Sequence, residues 1–542
     1  MTTAPPLVHT YADAFPGLVR ASVPDVPEGT RALVVNEDVA RALGCDPAWL
    51  AGADGIRWLT GTGTGAGQPT EAASRTVAEA YAGHQFGHFS PELGDGRAHL
   101  VGEARTEGGA LADIHLKGSG RTPFARAGAD GKAPLAAMLR EYVISEALAA
   151  LGVPTTRTLA VLATGEQVRR RSPVPEPAGI LVRTAASHLR VGTFQYAALH
   201  LERAERERLV AYALERHSGN AGDAAGPSAT TDPSATPAPL ATTAPSAIQG
   251  APEPPALTLL RAVAERQAAL VAAWMGIGFV HGVMNTDNMS ISGESIDFGP
   301  CAFIDDFSHA AVFSSIDREG RYSYRNQPAM AQWNLARLAE SLLDLIDPEN
   351  PNEAVERASG VLTHFEQRYR AEFARVFARK LGVRAPESEA EEREVSAVAE
   401  SALDMLDADS VDFTIFFRTL AEDPSQLPSL TRMPGTAHTW LARWRELHAS
   451  LGGGAGGART DGARADGALN ADAAARMRAA NPVYIPRNRH VERALAEAVS
   501  GNMAPLESLV AAIRDPFTRR AEFADLEVPP PGARGFTSYC GT

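Results

Sequence analysis

The stretch His281-Gly-Val-Met-Asn-Thr-Asp-Asn288, followed by Ile296-Asp-Phe-Gly299, decides the fold. It carries oxygen ligands of the type that magnesium prefers on Asp287, Asn288 and Asp297. Asn and Asp also close turns by bonding their own backbone, and the first segment alone is more simply such a turn. Because Asp297 begins an Asp-Phe-Gly nine residues after Asn288, we favour a site for a nucleotide and a metal.

The layout of this stretch is also that of a protein-kinase catalytic loop. Kinases place an Asn five residues after the Asp of a His-Arg-Asp, and an Asp-Phe-Gly later in the chain. In that register His281 takes the place of the His, and Asn288 and Asp297 take the places of the two metal ligands. The base position falls on Val283. Valine cannot accept a proton, so a kinase mechanism in the usual register is broken.

The composition is that of a globular protein, since 44% of the 542 residues are hydrophobic and 21% are charged. A chain of this length can form two or more domains. Its formal charge of -14 argues against broad nucleic-acid binding, which requires a basic face. A local basic pocket for phosphates remains compatible with that charge.

The sequence gives no sign of export or membrane insertion. Residues 1–29 have neither a basic segment nor an apolar core, so we expect no signal peptide. No apolar run of about 18 residues predicts a membrane span. Three cysteines, Cys45, Cys301 and Cys540, are too few for a disulfide framework or a zinc cluster. We therefore expect a cytoplasmic protein with no membrane and no nucleic-acid partner.

Two predicted strands and a helix precede the central stretch. Residues 98–103 and 112–117 are apolar runs typical of strands, and the second ends in Lys117. A helix is predicted over residues 135–151 by apolar side chains at helical spacing. It carries Glu141, which follows Lys117 by 24 residues. Kinases pair a strand lysine with a helix glutamate at similar separation, although Glu141 taken alone is more simply a solvated carboxylate.

Two arginines are candidate phosphate ligands. Arg183 ends a predicted strand, and Arg190 follows in Ser187-His-Leu-Arg190. A planar guanidinium suits bidentate phosphate binding. Any two arginines are more often surface charges, so this assignment depends on the residues that accompany them.

Taken together, the chain resembles the selenoprotein O family of protein adenylyltransferases, a pseudokinase group. The resemblance covers roughly residues 81–347 and resumes near the C-terminus. It rests on long motifs: Tyr81-Ala-Gly-His-Gln-Phe-Gly, Leu93-Gly-Asp-Gly-Arg, His115-Leu-Lys-Gly-Ser-Gly, Arg140-Glu-Tyr, Arg183 with Ser187-His-Leu-Arg190, His281 to Met289, Ile296-Asp-Phe-Gly-Pro, Gly320-Arg-Tyr-Ser-Tyr, and Asn481-Pro with Arg487-Asn488.

The resemblance implies an α+β, bilobal protein-kinase-like fold. It has a mixed β/α N-lobe, a helical C-lobe and a helical C-terminal extension. We place the N-terminal extension and N-lobe at residues 1–185, the C-lobe at 186–450, and a flexible Gly/Ala-rich stretch, C-terminal helices and the tail at 451–542. Within the C-lobe, residues 218–255 hold almost no large apolar side chain and are predicted to be a disordered insert.

The resemblance also implies an activity and a set of site residues. ATP would bind in a flipped orientation, and AMP would pass to Ser, Thr or Tyr hydroxyls of proteins, this chain itself being one candidate. Asp287 would accept the proton, and Asn288 and Asp297 would hold Mg²⁺ or Mn²⁺. The family's Asp-Gly is matched at Asp130 across one extra residue. Positions implied to bind ATP are Gly94, Gly96, Arg97, Lys117, Asp130, Gly131, Arg183, Arg190 and Asp297, with Glu141 as the ion-pair partner of Lys117.

The cysteines depart from the family pattern. Cys540 lies three residues from the end, where members often carry a cysteine or selenocysteine, and is the candidate for redox chemistry. Some members pair it with a cysteine near the position of Phe313, which this chain lacks. Cys301 is nearby in sequence, but small buried apolar packing is the simpler interpretation for it.

Three functions remain open on the residues alone. They are an adenylyltransferase, a kinase-type phosphotransferase that uses another base, and a non-catalytic ATP-binding scaffold. The full set of Lys117, Glu141, Asp287, Asn288 and Asp297 argues against the scaffold. Val283 and the two arginines separate the first two functions only weakly.

Overall fold

Strands dominate residues up to 185 and helices the remainder in the computed structural model, which describes residues 5–63, 75–170, 174–217, 253–451, 471–532 and 535–538. The strands are β1 (Val19–Ala21), β2 (Arg31–Val35), β3 (Val77–Glu79), β4 (Gly83–Gln85), β5 (His88–Ser90), β6 (Ala98–Arg105), β7 (Leu111–Lys117), β8 (Ala133–Pro134), β9 (Arg157–Val168), β10 (Glu176–Ala185), β11 (Phe279–Val280) and β12 (Ala302–Phe303).

The helices up to the Asp-Phe-Gly are α1 (Thr10–Ala14), α2 (Glu37–Ala42), α3 (Pro47–Ala51), α4 (Ala53–Thr60), α5 (Leu135–Ala150), α6 (Val191–His200), α7 (Arg203–His217) and α8 (Pro255–Gly276). Those after it are α9 (Gln327–Glu340), α10 (Leu343–Ile346), α11 (Pro351–Leu381), α12 (Glu389–Asp409), α13 (Phe413–Glu422), α14 (Leu427–Leu430), α15 (Pro434–Leu451), α16 (Ala471–Ala480), α17 (Asn488–Val499) and α18 (Ala504–Arg514).

The main sheet has the strand order β1-β3-β6-β7-β10-β9-β2, and β8 pairs with β10. Its neighbouring strands are antiparallel. Alternate residues of a strand share one face, so Asp113, His115 and Lys117 of β7 lie on the same side. Arg183 of β10 is the register partner of His115. The sheet therefore places a lysine, a histidine and an arginine side by side.

Helix α5 positions Glu141 against this sheet. Leu135, Met138 and Leu139 are buried on it, and the helix packs on β9 and β10. It ends at Ala150, Leu151 is the C-cap, and the next residue, Gly152, takes a positive φ of 76°, a conformation typical of the residue after a helix C-cap. The predicted helix over residues 135–151 and the predicted strands over 98–103 and 112–117 are thus confirmed.

A small hairpin closes the central stretch on itself. Helix α8 leads into β11, which pairs antiparallel with β12 so that Phe279 faces Phe303. Between them, His281 Nε2 hydrogen-bonds the Ile296 carbonyl at 2.8 Å. The two halves of the motif, from His281 and from Ile296, therefore meet in space.

The structure confirms the coarse prediction of a mixed fold of strands and many helices. The bilobal kinase-like arrangement and the boundaries at 185 and 450 stay predictions. Most of the predicted insert, residues 218–252, and the Gly/Ala-rich residues 452–470 lie outside the described residues. Residue Pro255, placed at the end of the insert, is instead the first residue of α8.

A buried arginine ties the C-terminal extension to the helical part. Arg487 has no exposed surface, and its Nη1 donates to Asp305 Oδ1 at 2.8 Å and to Asp412 Oδ2 at 2.6 Å. Its Nη2 donates to the Glu527 carbonyl at 2.9 Å. Removing one partner of a buried ion pair leaves an uncompensated charge in a poorly solvated place.

Substitution Arg487→Met should therefore lower the free energy of unfolding by about 3–5 kcal/mol. Denaturant unfolding, with circular dichroism as the probe, measures the change. Arg489→Met is the matched control, because Arg489 is exposed two residues along the chain, and it should change stability far less. Equal stability of the Arg487 variant and the wild type would contradict this role.

Candidate active site

Three cations surround the carboxylate of Asp297. Lys117 Nζ and Arg183 Nη1 each lie 2.7 Å from its Oδ1, and Arg190 Nη1 lies 3.6 Å from its Oδ2. Lys117 Nζ also donates to Glu141 Oε1 at 2.6 Å. The predicted lysine–glutamate pair is therefore present. The two arginines are buried beside it and are not surface charges.

Electrostatics fix the charge of this cluster. Burial opposes ionisation of Asp297, but Lys117, Arg183 and Arg190 outweigh it and hold the pKa of Asp297 well below its usual range. Asp297 also has a φ of +63°, the left-handed region that Asp tolerates better than most residues. With Glu141, the cluster has three cations for two carboxylates, a surplus suited to a phosphate-bearing ligand.

Asp287 is a buried carboxylate with one oxygen unused. It lies in a short 3-10 turn, Thr286–Asn288, and its side chain receives a hydrogen bond from Gln85 Nε2 to Oδ2 at 3.3 Å. Its Oδ1 has no hydrogen-bond partner among the described residues. Burial raises the pKa of Asp287 to about 6. A carboxylate in this state can accept a proton near neutral pH.

Arg190 connects Asp287 with the Asp297 cluster. Its Nη1 donates to the Asp287 carbonyl at 2.9 Å and faces Asp297. Its guanidinium also lies 4.3 Å from the centre of the Tyr81 ring. Positioned as the first residue before α6, Arg190 bridges the backbone of Asp287 and the carboxylate of Asp297, which lie ten residues apart in the sequence.

The hairpin of β4 and β5 covers the Asp287 turn. His84 N donates to Thr286 Oγ1 at 2.7 Å, and Phe86 N donates to Asn285 Oδ1 at 3.1 Å. A Cβ on Gly83 would lie 2.5 Å from Asp287 Oδ1, so only glycine leaves room for this carboxylate. Gln85 and Gly83 were not predicted to belong to the site. Their presence in the motif Tyr81-Ala-Gly-His-Gln-Phe-Gly was the one feature of the sequence that could have indicated it.

Asn288 is suited to a metal by the way its amide is oriented. Its Nδ2 donates to the Val283 carbonyl at 3.1 Å, so Oδ1 is the amide atom that could bind a metal. Together with the ionised Asp297, this gives two oxygen ligands of the kind that Mg²⁺ and Mn²⁺ accept. The residues present therefore fit a divalent cation that keeps water or phosphate as its other ligands.

The glycine turn, Gly94-Asp-Gly-Arg97, lies next to Lys117. Gly118 N donates to the Arg97 carbonyl at 2.8 Å, and the following Ala98 is the register partner of Lys117. Gly94 has a φ of +62°, and a Cβ there would lie 2.3 Å from the Phe124 ring. Glycine is thus required at Gly94, and Gly96 lets the chain pass close to the Phe124 backbone.

Asp130 and Gly131 make other contacts. Asp130 is exposed and forms two hydrogen bonds with Arg170, at 2.9 and 2.8 Å. Gly131 accepts a backbone hydrogen bond from Gly120 at 3.1 Å. None of these contacts joins the pair to Asp297, so a role in binding nucleotide stays a prediction.

The cysteines are placed as follows. Cys301 is fully buried, as predicted for a small packing residue. Cys540 lies outside the described residues. The last described part of the tail does reach the loop after the Asp-Phe-Gly, since Ser538 N donates to the Phe313 carbonyl at 2.7 Å.

A second group of metal-ligand types is buried under the sheet. Glu79, His115 and His188 bring their ligand atoms within 4.8 Å of one another. Arg183 Nε donates to His115 Nδ1 at 3.3 Å, and burial lowers the pKa of His115, so the neutral ring carries its proton on Nε2. Metal binding through His115 Nε2 would require this proton to leave. Asn288 and Asp297 as the metal ligands stay a prediction.

The geometry defines a class of protein, one with a buried cluster of three cations around a carboxylate beside a second carboxylate whose pKa is raised. Comparison with known proteins gives the family. The family model described as "Protein adenylyltransferase SelO" matches residues 19–514. The chain belongs to the SelO family.

Named relatives agree over nearly their whole length. The chain is 45% identical to "Protein nucleotidyltransferase YdiU" of Mycolicibacterium paratuberculosis over 557 aligned positions, covering 100% of each chain. Proteins of the same name from Pseudarthrobacter chlorophenolicus and Cereibacter sphaeroides are 44% and 43% identical, covering 94% of this chain and 93% and 94% of theirs. Among the described helices, none is both long and apolar enough to cross a bilayer.

The raised pKa of Asp287 predicts a pH-dependent effect on stability. Because the folded-state pKa of about 6 exceeds the ordinary 3.8, the penalty for burying the charged form of Asp287 is absent below about pH 4, where it is protonated, and destabilises the fold as the pH rises through 6. The full difference corresponds to about 3 kcal/mol. Asp287→Asn, which stays neutral, should therefore be more stable than the wild type at pH 8, and the gain should shrink as the pH falls to 5.

Urea unfolding in EDTA from pH 5 to 8 measures this difference. Asp297→Asn is the matched control of opposite sign, since Asp297 is stabilised as a carboxylate by Lys117 and two arginines, and its loss should destabilise the fold throughout this range. An Asp287→Asn effect that does not vary with pH would show that the carboxyl is not held out of water.

Proposed function

We propose that this chain transfers AMP from ATP to the hydroxyl groups of Ser, Thr or Tyr in proteins. The observation that carries the proposal is the pairing of the Lys117–Arg183–Asp297 cluster with a proton-accepting Asp287 one arginine away. The kinase base position holds Val283, which has no acceptor. Membership of the SelO family and the names of the relatives support the same class of reaction.

The nucleotide is bound chiefly through its phosphates. Lys117, Arg183 and Arg190 supply the positive charge, and Glu141 holds Lys117 in place. The turn of Gly94, Gly96 and Arg97 supplies backbone close to Lys117, and Asp130 and Gly131 complete the set implied by the resemblance. Asn288 and Asp297 hold Mg²⁺ or Mn²⁺, which when bound withdraws charge from the phosphates.

Transfer of AMP requires the α-phosphate to face Asp287. The acceptor oxygen then forms a bond to the α-phosphorus, and the bond from that phosphorus to the bridging oxygen of the β-phosphate breaks. The hydroxyl proton passes to Asp287, and diphosphate leaves with the electron pair. The protein's own part is positioning and charge stabilisation, which dominate such transfers.

The decisive test compares the two ends of ATP. Purified chain is incubated with a candidate acceptor protein, Mg²⁺ or Mn²⁺, and either α-labelled or γ-labelled ATP. We expect label from the α-phosphate only, with a mass gain of one AMP on the acceptor or on the chain itself. Label from the γ-phosphate alone would indicate a kinase-type phosphotransferase. Tight ATP binding with no label from either position would indicate a non-catalytic scaffold.

Substitution Asp287→Ala tests the proton acceptor. Loss of a general base costs about 10²–10⁴-fold in rate, and we expect a loss of that size while ATP affinity, measured by calorimetry, stays close to that of the wild type. Asp404→Ala is the control, because Asp404 is an exposed carboxylate bonded to His309. Near-normal transfer by the Asp287 variant would remove this residue from the mechanism.

A further inference from the structure

Arg183 is held from two sides. On one side its Nη1 donates to Asp297 Oδ1 at 2.7 Å, and on the other its Nε donates to His115 Nδ1 at 3.3 Å. Arg183 and His115 are both buried, and they are register partners on β10 and β7. The Arg183 guanidinium is therefore oriented by His115 on the sheet as well as by Asp297.

The hydrogen bond from Arg183 decides which nitrogen of His115 carries the proton. A guanidinium nitrogen donates and cannot accept, so His115 Nδ1 must be the acceptor. The neutral ring then carries its hydrogen on Nε2, which lies 3.1 Å from Asp95 Oδ2. The hydrogen bonds thus run in one direction, from Arg183 to His115 and from His115 to Asp95.

Asp95 fixes the far end of this chain of contacts. It stands between Gly94 and Gly96 in the glycine turn, and its backbone N donates to the Glu79 carbonyl at 2.9 Å. Glu79 N returns a hydrogen bond to Asp95 Oδ2 at 3.2 Å. Burial opposes ionisation of Asp95, but His115 and the nearby arginines hold the pKa of Asp95 below its usual range. A fixed carboxylate thus anchors the ring.

We propose that His115, held by Asp95, is a positioning residue that keeps the Arg183 guanidinium directed at Asp297 and at the phosphates of bound ATP. Asp297 would hold a bound metal, whereas the hydrogen bond from Arg183 Nε to His115 does not involve Asp297. That bond would therefore keep Arg183 in place with the metal and ATP bound. Asp95 also belongs to the glycine turn. The same carboxylate therefore holds both the His115–Arg183 contact and the turn that is proposed to lie beside the phosphates.

This inference rests on the proposed function, in which Arg183 binds phosphate. Two substitutions of His115 test its two ring nitrogens separately. In His115→Asn the side-chain oxygen can take the place of Nδ1 and still accept from Arg183. In His115→Gln the amide nitrogen can take the place of Nε2 and still donate to Asp95, but the acceptor for Arg183 is lost. The pair therefore distinguishes holding Arg183 from merely filling the space.

We expect His115→Gln to weaken binding of magnesium–ATP about 10- to 100-fold, the range typical of residues that orient a ligand-binding group, and His115→Asn to stay within about threefold of the wild type, since it keeps that contact. In an Arg183→Lys background, which lacks Nε, the difference between the two variants should vanish. His99→Gln and His99→Asn are the matched controls. His99 is a fully buried histidine on β6 whose nitrogens bond Ser22 and Ser119, and neither change should alter ATP affinity.

Calorimetry of magnesium–ATP binding is the primary measurement, and AMP transfer is assayed in parallel. A wild type that binds ATP but transfers no AMP would defeat the proposed function while leaving the binding comparison valid. Equal losses in the Asn and Gln variants, or a difference that persists in Arg183→Lys, would overturn the positioning role. If both variants unfold, ¹⁵N NMR of the wild type decides: we expect hydrogen on His115 Nε2, and hydrogen on Nδ1 would overturn the relay.

Discussion

The carboxylate of Asp297 is the interaction on which the site depends. It accepts from Lys117 and Arg183 at 2.7 Å each, and Arg190 lies 3.6 Å away. Buried charges are costly unless each is paired, so the sheet, α5 and the Asp-Phe-Gly can come together only with all of these groups in place. Glu141 completes the set by holding Lys117.

This balance leaves the pocket ready for a polyanion. Three cations face two carboxylates, and the surplus positive charge is what ATP phosphates and a metal would rearrange. Asp287 differs from Asp297 because, among the described residues, no cation forms a salt bridge with its side chain. Burial therefore raises its pKa to about 6, whereas the pKa of Asp297 stays well below the usual range. Two carboxylates of one site thereby differ in charge near neutral pH, as the proposed roles of proton acceptor and metal ligand require.

Local sequence predicted the parts of the site that depend on short-range pattern. The strand that ends in Lys117 and the helix that carries Glu141 follow from apolar spacing, and their pairing was predicted from the kinase pattern of a strand lysine and a helix glutamate at similar separation. The hairpin over Asp287 was missed, because Gln85 and Asp287 are 202 residues apart and nothing local indicates that they meet. The ion cluster of Arg487 was missed for the same reason. Asp130 also bonds Arg170, a contact that only the fold reveals, and its role in binding nucleotide stays a prediction.

The central claim is that the α-phosphate of ATP faces Asp287. A crystal structure with Mn²⁺ and α,β-methylene-ATP, in which anomalous scattering locates the metal, tests it most directly. We predict manganese bound by Asn288 and Asp297, with the α-phosphorus closer to Asp287 than the γ-phosphorus is. A γ-phosphorus facing Asp287, or manganese bound at Glu79, His115 and His188 instead, would contradict the account.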